Sequence, residues 1–168
     1  VGTGLVSTRN TDIIAGQICT VTYDGTQFIL EQSTNKTGAI LSGTTGGTFN
    51  PTDATTYYFG AFSGLAPTTT ASQRRLFVTG ITITTAEVYF YNTVLGTAEA
   101  SSVYIRVNHT TDYLVTNLVD NSATSTGGGT AGNVVTINPG SSFELKWVTP
   151  TWVTNPTGVI IYWVLRME

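Results

Sequence analysis

Along this chain apolar residues recur at alternate positions, in short runs separated by clusters of Gly, Asn, Pro and Thr, and no segment carries the spacing of an amphipathic helix. A period of two belongs to a half-buried strand, and the separating residues are those that turns require. The chain is therefore expected to be all-β. Composition points the same way, because charged residues are 10% of the chain against about 25% in ordinary globular domains. Thr, Gly, Ser and Asn stand in their place. Thr and the aromatics suit a pleated surface, whereas the helix formers Lys, Glu and Ala are scarce.

At 168 residues and 40% apolar, the chain has room for one full domain plus a small appendage. A net charge of -3 lacks the basic footprint of a nucleic-acid binder. The longest basic run, Arg74-Arg75, reads as the protection of a strand edge. Hydroxyls and amides must carry the hydration of so uncharged a surface, as is common in extracellular adhesive and virion proteins. A single cysteine, Cys19, leaves no disulfide framework and no Cys-based zinc site. Its place in Ile18-Cys19-Thr20-Val21 reads as a buried small hydrophobe. No stretch approaches the roughly 18 apolar residues of a membrane span. The chain begins at Val1 and its one Met is Met167, so it is expected to be a piece of something longer.

The clearest unit runs from Ile18 to Glu31. Asp24-Gly25 is read as a two-residue type I′ turn, since both central residues must accept positive φ. Counting outward pairs Tyr23 with Thr26, Val21 with Phe28 and Cys19 with Leu30. That register gives a hairpin with one apolar face, which is marginal alone and calls for a partner surface. Three segments follow: a hairpin module over 1–33, a Gly- and Thr-rich connector over 34–53, and a β-sandwich head over 54–168. Strands in the head are predicted at Tyr57–Phe62, Arg75–Ile83, Glu87–Tyr91, Val103–Asn108, Tyr113–Val119, Asn133–Ile137, Phe143–Val148 and Val159–Arg166. Eight strands in about 115 residues fit an antiparallel sandwich, of which the jelly roll is the commonest eight-strand form. Ser125 to Gly132 is read as a flexible loop tip, since no Lys and no helix follow its glycines to make a phosphate cradle. The last predicted strand is apolar at nearly every position, so both faces must be covered, and self-association is expected.

Chemistry is sparse. His109, the one histidine, would have to serve any Ser-His-Asp set with nearby Asp112, but no Gly-x-Ser-x-Gly elbow accompanies it. The carboxylates Glu87, Glu99, Asp112, Asp120 and Glu144 are scattered, with nothing to pair two of them as glycoside hydrolysis requires. Asp112 and Asp120 read as turn residues, and Glu144 with Lys146 as a solvated pair on one strand face. Calcium loops are absent. No enzyme, metal or cofactor is expected. Aromatic rings remain, and they can stack on the C–H faces of sugars. Trp152 lies in the loop-like Thr149–Pro156 and is read either as a ligand-stacking residue or as a lid over the sandwich end or a subunit seam. Tyr113 and Asn155 are further ligand-binding candidates. The sequons at Asn35-Lys36-Thr37 and Asn108-His109-Thr110 are taken as accidental.

The segment Asp12-Ile-Ile-Ala-Gly-Gln-Ile-Cys-Thr-Val-Thr-Tyr-Asp-Gly-Thr-Gln-Phe-Ile-Leu30 resembles a hairpin module of bacteriophage tail fibre proteins. Gly96–Asn108, Pro139–Trp147 and Pro150–Asn155-Pro156 look like the C-terminal head of such fibres. The resemblance implies a homotrimer at the distal end of the fibre, outside the cell, binding a host-cell surface saccharide or protein, or fixing the fibre's end. It implies neither nucleic-acid binding nor membrane insertion, and it carries no binding motif onto particular residues. A trimeric virion or bacterial surface protein without ligand, and a carbohydrate-binding module of a depolymerase, are the alternatives from the residues.

Overall fold

A computed structural model describes residues 21–23, 25–26, 28–30, 39–60, 64–120 and 125–168. Cys19, Asp24 and the Asn35 sequon lie outside the described residues. The chain divides into two units, Val1–Thr37 and Gly38–Glu168.

In the first unit β1 (Val21–Tyr23) pairs antiparallel with β2 (Phe28–Leu30). The register is Val21 to Leu30, Thr22 to Ile29 and Tyr23 to Phe28, which leaves residues 24–27 between the strands. The expected register is thus corrected, Tyr23 facing Phe28 and not Thr26, and Gly25 is left-handed at φ +94. The slip is two residues, so the parity of the ladder survives it.

The second unit is built from β3 (Ala39–Thr44), β4 (Thr56–Phe59), a short 3-10 helix (Ala71–Arg74), β5 (Leu76–Phe77), β6 (Ile81–Val94), β7 (Ala100–Val107), β8 (Thr111–Asp120), β9 (Ser125–Ile137), β10 (Ser142–Val148) and β11 (Thr157–Met167). One antiparallel sheet runs β4-β10-β7-β8, with β5 also on β10, and the other runs β3-β11-β6-β9. The inner faces of both sheets feed one hydrophobic core, a β-sandwich architecture.

Three expectations are corrected here. The supposed connector holds β3, a strand of the second sheet that pairs with β11 from Ala39 to Thr44. Its few apolar residues hid it, yet Leu41 packs on the core, and Gly43 is there because Trp163 lies across it: a Cβ would stand 2.3 Å from Trp163 Cζ2. Arg75–Ile83 is two strands, β5 and the start of β6, separated at Gly80 (φ +108). From Ile81 the strand continues through Glu87–Tyr91 to Val94 without a turn. The alternation that broke between Ile83 and Glu87 breaks at a β-bulge, where the register against β9 shifts between Ile83 and Thr85. Finally, the glycine-rich stretch read as a loop tip is paired strand: Gly127, Gly128 and Gly129 oppose Tyr89, Val88 and Glu87.

Trp147 sits at the centre of the core. Its ring meets Phe90 at 4.8 Å, Tyr57 at 5.8 Å, Phe49 at 6.0 Å and Trp152 at 6.1 Å between centroids. The indole N–H donates to Ser101 Oγ at 2.7 Å, so its polar atom is satisfied inside. Alternate residues of β11 (Val159, Ile161, Trp163, Leu165) and of β10 (Phe143, Leu145, Trp147) supply much of the rest. Burying each such side chain contributes about 1.5–3 kcal/mol.

Candidate functional site

Trp152, Tyr113 and Asn155 do not converge. Trp152 is 3% exposed and packs on Trp147, so both faces that might stack on a ligand are already covered. The loop has folded its indole into the core as a lid, the second of the two readings its sequence allowed. Backbone bonds fix this arrangement, with Trp152 N–H donating to Asp53 Oδ1 at 3.1 Å and Val153 N–H to Thr97 Oγ1 at 3.1 Å. Asn155 is half-buried in the same loop and donates its Nδ2–H to Pro51 O at 3.3 Å. Tyr113 is exposed on β8 opposite Ile105, two strands from β10 and level with Leu145 at its middle, whereas that loop follows the end of β10.

On the outer side of the first sheet the ionisable residues form a linked set. Glu144 is fully buried, not solvated, and its Oε1 meets His109 Nδ1 at 3.1 Å. Lys146 turns instead to Asp112 Oδ2 at 2.6 Å and lies 5.1 Å over the Tyr104 ring. Arg106 donates from Nη1 to Tyr58 Oη at 2.8 Å and from Nη2 to the His109 carbonyl, with its Nε 3.7 Å from Asp112 Oδ1. Asp112 therefore serves Lys146 and Arg106 on β8, not a turn and not His109. The arrangement clamps the β7–β8 turn, where Asn108 (φ 49) and His109 (φ 63) both sit left-handed, onto β10. Asn108 Oδ1 completes the clamp by accepting from Ser142 N–H at 3.0 Å. The groups hold a hairpin in place.

The outer side of the second sheet is different. Its register sets side chains in rows across β3, β11, β6 and β9: Ser42, Val164, Glu87 and Gly129; then Thr44, Tyr162, Tyr89 and Gly127; then Ile160 and Tyr91. Tyr89, Tyr91 and Tyr162 are 43%, 41% and 44% exposed, and Val164 and Ile40 are also open to solvent. Single exposed apolar residues are ordinary, but a contiguous aromatic face is not. At its β9 side the glycines strip one strand of side chains and leave a shallow groove of about 280 Å³, lined by Thr85, Glu87, Tyr89 and Gly127–Gly129. Tyr89 donates its hydroxyl to Glu87 Oε2 at 2.8 Å. That bond and the carboxylate's charge hold the phenol above its ordinary value of 10.0.

Sequence reasoning reached the β11 part of this face, as the far side of a strand apolar on both faces, but not the part on β6. A signal existed in Glu87–Tyr91, whose aromatics fall on both phases of the alternation: Phe90 points inward, Tyr89 and Tyr91 outward. No family model, curated protein or solved structure matches the chain. Among the described residues no cluster of three or more His, Cys, Asp or Glu is placed to hold a metal ion, and no helix is long and apolar enough to cross a membrane.

Proposed function

We propose that this chain is the tip of a bacteriophage tail fibre, a homotrimer at the distal end of the virion that holds a host-cell surface saccharide during adsorption and performs no reaction itself. One observation carries the binding role: the uncovered face bearing Tyr89, Tyr91 and Tyr162 on the second sheet. Rigid aromatic rings on strands give contact area at little entropic cost, and their hydroxyls can hydrogen-bond a sugar or a wet protein surface. The resemblance of Asp12–Leu30 to fibre hairpins supports the origin. We also read the sandwich as a jelly roll. Of the eight long strands, the first, eighth, third and sixth share one sheet, and the second, seventh, fourth and fifth share the other. That order favours two interleaved Greek keys. Copies would meet along the β3 edge, where Ile40 offers aliphatic contact, leaving the face of β11, β6 and β9 open.

The shallowness of the groove favours a second reading, a structural trimer without ligand. Adsorption separates the two. Labelled chain is incubated with a panel of intact bacteria, beside a Tyr91→Ala/Tyr162→Ala variant with an unchanged circular dichroism spectrum. Binding to at least one strain, lost in the variant, is the expected result. A variant that adsorbs as well as the parent would remove this face from the function. A parent that adsorbs to no strain leaves the structural trimer.

A further inference from the structure

Three consecutive glycines in the middle of a paired strand ask for an explanation, since each weakens a strand by about 0.5–1 kcal/mol relative to Ala. Here each is enforced by a different neighbour. A Cβ at Gly127 would stand 2.2 Å from Tyr89 Cδ1, and one at Gly129 would stand 2.7 Å from the Ala86 carbonyl oxygen and 2.8 Å from Glu87 Cγ. On the opposite side, one at Gly128 would stand 2.5 Å from Thr116 Oγ1 of the other sheet. Gly128 lets the sheets close. Gly127 and Gly129, paired across the ladder with Tyr89 and Glu87, let those two side chains lean over β9 instead of standing upright. The result is a built corner: an open ring, a carboxylate fixed to that ring's hydroxyl, and a bare strand beside them.

Resting on the saccharide-binding reading above, we infer that the groove of Thr85, Glu87, Tyr89 and Gly127–Gly129 is its sugar subsite, taking an uncharged pyranose. The Tyr89 ring supplies the platform for a C–H face, and the open groove between Thr85, Glu87, Tyr89 and the β9 backbone gives the pyranose room to lie against it. Glu87 accepts from sugar hydroxyls with the lone pairs its bond to Tyr89 leaves over. Charge selects against acidic sugars, because Glu87 is the one charged residue lining the groove. Arg166, the cation nearest in register, stands across β6 on β11, opposite Thr85. A phenol is protonated throughout the neutral range, so Tyr89 keeps its bond to Glu87 there.

Saturation-transfer NMR on the whole chain tests this, with the methyl glycosides of glucose, galactose, mannose and N-acetylglucosamine as probes and methyl glucuronoside as the acidic control. The expected result is transfer to the ring protons of at least one neutral glycoside. Tyr89→Ala should abolish it, Glu87→Gln should weaken it about ten-fold, and Tyr113→Ala on the other sheet should leave it unchanged. Tyr89→Phe keeps the platform and guards against a folding artefact, so it should retain the contact at reduced affinity. If the parent binds a neutral glycoside and Tyr89→Ala and Glu87→Gln bind it equally well, the groove is the wrong site while the fibre-tip reading stands. If the parent binds none of the probes yet adsorbs to cells, the sugar assignment falls and the tip reading keeps a protein receptor. If it does neither, both fall. Tighter binding of the glucuronoside would overturn the charge argument.

Discussion

Trp152 and Val153 are adjacent and have opposite fates: the first is 3% exposed, the second 86%. Trp152→Ala should therefore cost about 3–5 kcal/mol in a denaturant melt, as large-to-small core changes do, while Val153→Ser should fall within about 0.5 kcal/mol of the parent. Equal losses would mean that the loop is not held as described. Glu144 belongs with Trp152. Replacing His109 by Ala removes the partner of Glu144 Oε1 on a buried carboxyl group whose Oε2 already lacks one, and the expected cost is about 1–3 kcal/mol. Tyr89 answers to pH instead. Its folded-state value is raised, so what its bond to Glu87 contributes is present below pH 10.0 and lost as pH rises through that raised value. Ultraviolet titration of phenolate should show Tyr89 ionising late, and Glu87→Gln should bring it back. Residue type alone did not decide these fates. A Pro-bounded loop left the inward lid and the outward ring both open for Trp152, and Glu144 two residues from Lys146 looks like a surface pair until His109 is folded onto it.

At the scale of elements the sequence was most informative where one phase of the alternation is apolar and the other polar, as in β7 and β10. It misled where side chains were small. β3 and the Gly127–Gly129 stretch of β9 looked like connectors because glycine carries no pattern, yet both are paired along their lengths. What fixes them as strands is the partner's bulk, Trp163 over Gly43 and Tyr89 over Gly127. That dependence is measurable. Gly43→Val should lose about 1–3 kcal/mol through overpacking against Trp163, and pairing it with Trp163→Leu should recover part of the loss. No recovery would mean that the contact does not set the residue. The bulge in β6 misled in the opposite direction: a one-residue change of phase at Thr84-Thr85 looked like the end of one strand and the start of another.

For the whole molecule, Gly38–Glu168 has its own core, and a chain beginning at Gly38 should unfold in one cooperative transition. A broad, non-cooperative melt would mean that the hairpin unit is required. Light scattering of the whole chain should give three times the chain mass, and a clean monomer would sink the trimer.

The position of β9 decides how that measurement must be made. Thirteen residues long and last in its ladder, it contains no charged residue and no proline, the devices by which edge strands ordinarily discourage unwanted pairing. A strand added there leaves a fresh edge behind it, so association through β9 would grow without limit, whereas a trimer closes on itself and stops. Mass that levels at three is closure. Mass that climbs with concentration, and is held down by a lysine in place of Val134, would be polymerisation along an unguarded border.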